Sequence, residues 1–257
     1  MIPEQLYHYT KGENAFSIIS GGNKKGKEIC FWLKNAGQKN DKEELLLGQE
    51  LVIGLKRYMR AHNRSSIINE VVIEPSLVYI NSFTENGFPH EDMLKEYGRF
   101  RLEFNLRDYR FDGDIGECTY FGADDVDRIV EYYQELFDKN WSLVSQNSDT
   151  IALGNYVLWE ASAFVSIPFL KHRERWSDEL EWRHVLYQQN SDERVFIHDD
   201  GFPRMRSFYP ATALIGITCF SDEEHLSEDL SYYHSIQDWI NNHGWQTEVR
   251  LMLKKTS

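Results

Sequence analysis

The run Ala213–Phe220 (ALIGITCF) is apolar at nearly every position. That pattern fits a strand covered on both faces, so structure must lie above and below it. The rest of the chain mixes two periodicities, and the fold class read from them is α+β. Strands are expected at Gln5–Thr10, Glu28–Leu33, Leu77–Phe83, Arg101–Leu106, Ile115–Phe121, Glu179–Tyr187, Arg194–His198 and Trp245–Leu253. Asn14 reads as the N-cap of a helix AFSIIS that stops at Gly21-Gly22. A long amphipathic helix is expected over Lys42–Ala61, with Leu45, Leu46, Val52, Ile53 and Leu55 on its inner stripe. Further helices are expected over Asp124–Asp138, Thr150–Leu170 and Leu230–Asn242, the last stopped by Gly244.

No internal repeat or Pro/Ser-rich linker divides the sequence. Gln188–Glu193 (QQNSDE) reads as a hairpin turn between two strands. The expected organisation is one domain over residues 1–257, with helical insertions at about 42–61 and 124–170.

Composition narrows the class. The chain has 257 residues, 41% of them apolar and 14% aromatic, which is enough to bury a core and excludes a disordered chain. No stretch approaches the roughly 20 apolar residues of a membrane span, and the N-terminus lacks the pattern of a secretory signal. Cys30, Cys118 and Cys219 are odd in number and far apart, and read as buried thiols in a reducing, cytoplasmic compartment. The net charge of −13 argues against broad duplex binding. Lys56–Arg64 (KRYMRAHNR), the densest basic segment, reads as a solvated helix face.

Three polar clusters stand out. In the first strand, Tyr7-His8-Tyr9-Thr10, alternation puts His8 and Thr10 on one face and Tyr7 and Tyr9 on the other. A histidine and a hydroxyl about 6.5–7 Å apart can grip the two hydroxyls of a ribose. The second cluster, Ser82-Phe83-Thr84-Glu85-Asn86, ends a strand, where polar side chains either line sites or make ordinary turns. The third is Glu179-Leu180-Glu181-Trp182-Arg183. Glu179, Glu181 and Arg183 share a face there, and Arg183 supplies the cation that two close carboxylates need. Each cluster also has a structural reading: a capping histidine, a turn, a solvated ion pair. Phosphate-cradling glycine loops, HExxH and GxSxG are absent from the sequence, and no histidine or cysteine spacing suggests a metal.

The segments LYHYT, NDKEE, SFTEN with Met93 and Tyr97, and FLKHRERWSDELEWR together resemble a widespread bacterial domain family of unknown function. The resemblance runs over nearly the whole chain. The family's Met-Trp before the tyrosine is Met93-Leu94 here. LYHYT, EICFWL and ELE also resemble pieces of the ADP-ribosyltransferase superfamily. That second resemblance implies a mixed-sheet core with flanking and inserted helices, and NAD as substrate. It implies that His8, with Thr10 and Tyr9 beside it, holds the adenosine ribose, and that Phe31 or Trp32 walls the nicotinamide. Glu181 would stabilise the charge growing on the nicotinamide ribose, Glu179 would orient or deprotonate the acceptor, and Ser82 and Arg183 would support them. The acceptor is then a protein or a nucleic acid, including single-stranded RNA or DNA. The setting is a bacterial toxin or antiviral defence effector, with an antitoxin or inhibitor protein as partner.

On this reading Glu181→Gln folds normally and loses nicotinamide release. Two alternatives stay open: a non-enzymatic binding or sensing module of a defence system, and a metal-dependent hydrolase using Asp41, Glu179 and Glu181.

Overall fold

The computed structural model describes residues 2–22, 25–38, 75–89, 91–109, 112–121, 169–172, 179–188 and 192–253. It also describes the helical positions Ile53, Arg57, Ala61, Arg128, Glu131, Glu135 and Asp138. They fall into two compact units, the first Met1–Asn35, Tyr79–Glu117 and Glu179–Ser257, the second Ala36–Val78 and Cys118–Asp178.

In chain order the elements are β1 (Leu6–Thr10), α1 (Gly12–Ser20), β2 (Glu28–Asn35), β3 (Val78–Thr84), α2 (Glu91–Tyr97), β4 (Phe100–Phe104), β5 (Asp114–Glu117), β6 (Thr119–Phe121) and β7 (Leu170–His172). They continue with β8 (Glu181–Tyr187), β9 (Val195–Ile197), β10 (Pro203–Pro210), β11 (Leu214–Ser221), α3 (Leu226–His243) and β12 (Glu248–Leu253).

The first unit is built on a ten-stranded sheet in the order β12–β11–β4–β1–β3–β2–β10–β9, with β8 also paired to β3 and β5 to β8. The sheet is mixed, because β11 runs parallel to β12 and antiparallel to β4. β3 bridges two diverging strands. Its start pairs with the end of β2 (Lys34↔Ile80, Asn35↔Tyr79), and its end pairs with β1 (Tyr7↔Thr84).

Register decides which side chains share a face. Leu6, His8 and Thr10 sit opposite Phe104, Leu102 and Phe100. Leu6 and these three partners on β4 are buried in the core, where α1 adds Ala15, Ile18 and Ile19 and α3 adds Ile236 and Ile240. Burying each large apolar side chain is worth about 1.5–3 kcal/mol. Tyr7 and Tyr9, opposite Glu103 and Arg101, point to the other, outward face.

β11 matches its apolar pattern, with Leu214, Ile217, Thr218, Cys219 and Ser221 all buried. Gly244 stops α3 as expected, in the left-handed conformation at φ 66. Cys30, Cys118 and Cys219 are buried free thiols. No described helix is long and apolar enough to cross a membrane.

Several local expectations are corrected. α1 starts at Gly12 after an N-cap at Lys11, so Asn14 lies inside the helix. The strand expected at Ile115–Phe121 breaks at Cys118 into β5 and β6, which join different sheets. β8 and β9 do not form a hairpin: β9 pairs with β10, and β8 with β3 and β5. That β9–β10 turn is closed by bonds from the Gly201 amide to the His198 carbonyl (2.8 Å) and from the His198 amide to the Phe202 carbonyl (2.9 Å).

In the second unit, β6 and β7 pair in parallel with Tyr120 opposite Lys171. Ile53 is helical but 48% exposed, so it is not on an inner stripe. Most of the expected helix Lys42–Ala61, and nearly all of Thr150–Leu170, lie outside the described residues.

Between α2 and β4 the chain turns at Gly98, whose φ is +118. A Cβ there would lie 2.4 Å from the carbonyl carbon of Thr10 and the amide nitrogen of Lys11. Gly98→Ala is therefore expected to destabilise the fold by more than about 1 kcal/mol, because backbone rather than a movable side chain blocks the methyl group. A shift of the urea midpoint measures this, and an unchanged midpoint would contradict the stated packing.

Candidate functional site

The carboxylate pair sits where β8 meets the end of β3. The Thr84 hydroxyl donates to the Glu179 carbonyl. The Glu85 amide donates to the Leu180 carbonyl at 3.2 Å, and Trp182 Nε1 donates to Glu85 Oε1 at 2.6 Å. Between the two glutamates, Leu180 adopts φ 45 while its side chain is 52% exposed. A non-glycine residue rarely takes that conformation, and such strain persists where surrounding bonds fix it. Here the bonds from Thr84, Glu85 and Trp182 do so.

The two carboxylates differ in environment. Glu179 is half-buried and accepts a hydrogen bond from the Tyr97 hydroxyl at the end of α2. Burial, then that bond and the charges of Glu179, Glu96 and Glu181, push the Tyr97 phenol far above its ordinary range, so it stays a donor. Glu181 is buried. Arg183, fully buried, donates from Nε to its Oε1 at 2.9 Å and from Nη2 to its Oε2 at 3.3 Å. One carboxylate is thus locked in an ion pair and its neighbour is held beside a phenol nearer solvent.

Strand parity places the other predicted residues. Trp182 and Leu186 belong to the core, so Glu181 and Arg183 lie on the opposite side of β8, where both are nonetheless buried. Thr84 is opposite Tyr7, so Thr84 and Ser82 share the outward face of β3 with Tyr7 and Tyr9 of β1. The Tyr9 hydroxyl donates to the Asn86 carbonyl at 3.1 Å, and the Asn86 amide to Thr84 Oγ1 at 2.9 Å. Tyr9, Ser82, Glu181 and Arg183 are therefore carried by the adjacent strands β1, β3 and β8, with Glu179 just ahead of β8.

The remaining four do not join them as expected. His8 and Thr10 face the core side, because their register partners Leu102 and Phe100 do. The pair therefore lies on the opposite side of the sheet from Glu181 and Arg183. The His8 ring packs edge-on to Phe31 at 5.1 Å and to Phe83 at 6.0 Å. Phe31 is 2% exposed and ringed by His8, Phe83, Phe104 and Tyr209, so it offers no face to a nicotinamide. Trp32 faces outward but packs on Phe196 and His198, toward the β9 edge.

His8 Nδ1 lies 2.8 Å from the Ser82 carbonyl. A carbonyl only accepts, so Nδ1 carries the proton and Nε2 is the acceptor nitrogen of the neutral ring. Burial drives its pKa down from 6.5 to about 4, against the opposing bond to Ser82. Between those values the unfolded chain binds the extra proton. Stability from this group is full above about 6.5, falls with pH, and is lost below about 4, a total on the order of 3 kcal/mol. The buried His184, also lowered chiefly by burial, adds loss of the same sign. His8→Gln is expected to flatten the wild-type decline in urea stability between pH 6.5 and 4.5 without abolishing it. Parallel curves for the two chains would contradict the assignment.

A second polar cluster was not anticipated. On the outward face of β4, Arg101 Nη2 donates to Glu103 Oε1 at 2.6 Å and to Thr218 Oγ1 at 3.2 Å, and Arg250 Nη1 donates to Glu103 Oε1 at 3.0 Å. The Arg101 guanidinium lies over the Tyr7 ring at 4.9 Å. Its sequence signal was the alternation Arg101, Glu103 within an apolar strand. Among the described residues no group of three His, Cys, Asp or Glu side chains is placed to hold a metal ion, and Asp41 lies outside those residues.

Compared with known proteins, the chain matches no family model, no curated protein and no solved structure. Fold and site define an α+β protein with a strained, asymmetric carboxylate pair at a strand junction.

Proposed function

We propose that the chain is an NAD-dependent ADP-ribosyltransferase in which Glu179, rather than Glu181, faces the reacting ribose. The observation that carries this reading is the division of labour in Glu179-Leu180-Glu181. Glu181 is neutralised by Arg183 inside the protein, while Glu179 reaches the surface beside the Tyr97 hydroxyl. Departure of nicotinamide leaves positive charge on the ribosyl C1′. A carboxylate fixed in place stabilises that charge without reorganising. Tyr97 fixes the Glu179 carboxylate and Thr84 its backbone. Glu181 is a positioning residue, holding the start of β8 to Arg183. Tyr9 and Ser82 lie on the same face and are the residues to contact the dinucleotide, while His8 acts behind Ser82 by binding its carbonyl. In the transfer, the C1′–nitrogen bond breaks, nicotinamide leaves with the bonding pair, and an acceptor nucleophile forms the new bond to C1′ and loses its proton.

The core placement of His8, Thr10 and Phe31 favours a second reading, a binding module that cleaves nothing. Incubation with NAD labelled in its adenine and with cell extract separates the two, when followed by protease and nuclease digestion in parallel. The transferase reading expects label on a macromolecule, released by one of the two digests. Label left wholly in NAD supports the binding module.

A further inference from the structure

We infer that the outward face of β2, β10 and β9 is a docking platform for single-stranded nucleic acid. The inference rests on the transferase reading for what happens to the docked strand, but not for docking itself. Across this face, register brings cations and aromatic rings side by side. Lys34 sits opposite Arg204, and Arg204 opposite Phe196. In the next row Trp32 faces Arg206, and beyond it the exposed Phe208 lies across from the buried Cys30. The Arg206 guanidinium lies 4.5 Å over the Phe196 ring, and the Trp32 ring meets Phe196 at 5.6 Å and His198 at 5.3 Å. Trp32 is 40% and Phe208 47% exposed.

The occupant follows from charge and shape. The whole chain carries −13, so cations concentrated between exposed rings select an anion against the protein's own field. Asp200 neutralises Arg204 (2.6 Å) and Asp192 neutralises Arg194 (2.7 Å). Arg206 makes no ion pair among the described residues. A few cations with stacking rings suit an unpaired strand, whose bases expose their faces, whereas a duplex hides its bases and is held through many phosphates. A purely apolar partner would leave Arg206 buried without a counter-charge. Ser82 lies on the same side of the sheet, on β3, one strand beyond β2. No single stretch of sequence signals this face, because its rings and arginines come from three separated segments.

The test is fluorescence anisotropy of a short labelled oligouridine with the full chain at low salt and without NAD. Saturable binding is expected, competed by unlabelled oligouridine and not by a duplex of the same length. Trp32→Ala and Phe208→Ala should each weaken it roughly tenfold. Arg206→Gln, a change at an exposed side chain, should reduce the slope of log affinity against log salt by about 0.7. No saturable binding, equal competition by duplex, or wild-type affinity in the Phe208 and Arg206 variants would overturn the platform. So would sedimentation showing that Trp32→Ala converts a dimer to a monomer, since the face would then be a self-interface. Nicotinamide release without oligouridine binding removes the platform alone, and binding without release removes the transferase alone.

Discussion

Glu179→Gln is expected to lower nicotinamide release by roughly 10²–10³-fold, the cost of removing one preorganised electrostatic group from a charge-developing centre. The fold should survive. Glutamine retains an oxygen to accept from Tyr97, and the bond from Thr84 goes to the Glu179 backbone, which the substitution leaves alone. Tyr97→Phe should act in the same direction but less, since it loosens the carboxylate without removing it. Circular dichroism and the urea midpoint establish the fold, and kcat establishes the loss. Release within a few-fold of wild type would remove Glu179 from the chemistry.

Glu181→Gln is expected to fail for a different reason. Arg183 is fully buried, and its guanidinium binds both oxygens of Glu181. Breaking a buried ion pair by removing one partner's charge costs about 3–5 kcal/mol, far more than an exposed pair is worth. Arg183→Met should cost a similar amount, leaving Glu181 charged and buried. Replacing both residues by apolar ones of similar volume should recover much of the loss, because the cost lies in the uncompensated charge. Urea unfolding of the two single variants and the double variant forms the cycle. Single losses under about 1 kcal/mol, or no recovery in the double variant, would contradict the pairing. The expectation that Glu181→Gln folds normally is thereby replaced. Sequence alternation correctly put Arg183 beside Glu181, but it could not show that both are buried.

Local chemistry made much of the fold legible. ALIGITCF named a strand covered on both faces, and β11 is such a strand. Gly244 ended α3 where a left-handed residue was needed. β10 escaped detection because arginines occupy alternate positions between two prolines. Its Met205, Ser207 and Tyr209 nonetheless point inward while Arg206 and Phe208 stay exposed. α2 escaped because its seven residues bury only Met93.

The site was half legible for a related reason. Glu181 and Arg183 lie on one strand and Glu179 two residues ahead of it, so their proximity could be read directly. Facing, however, depends on which strand pairs with which. His8 and Thr10 share a face, as alternation says, yet pairing with β4 turns that face toward the core. Tyr97 reaches Glu179 across 82 positions of sequence, and Arg206 and Phe196 meet through a hairpin placed elsewhere by the sequence pattern.

Free nicotinamide formed when the wild-type and Glu179→Gln chains are each mixed with NAD and cell extract decides whether this strand junction is a reaction centre. Release by the wild type, matched by ADP-ribose on a macromolecule and nearly lost in the variant, is the predicted result. No release by the wild type, or equal release by both chains, would contradict it.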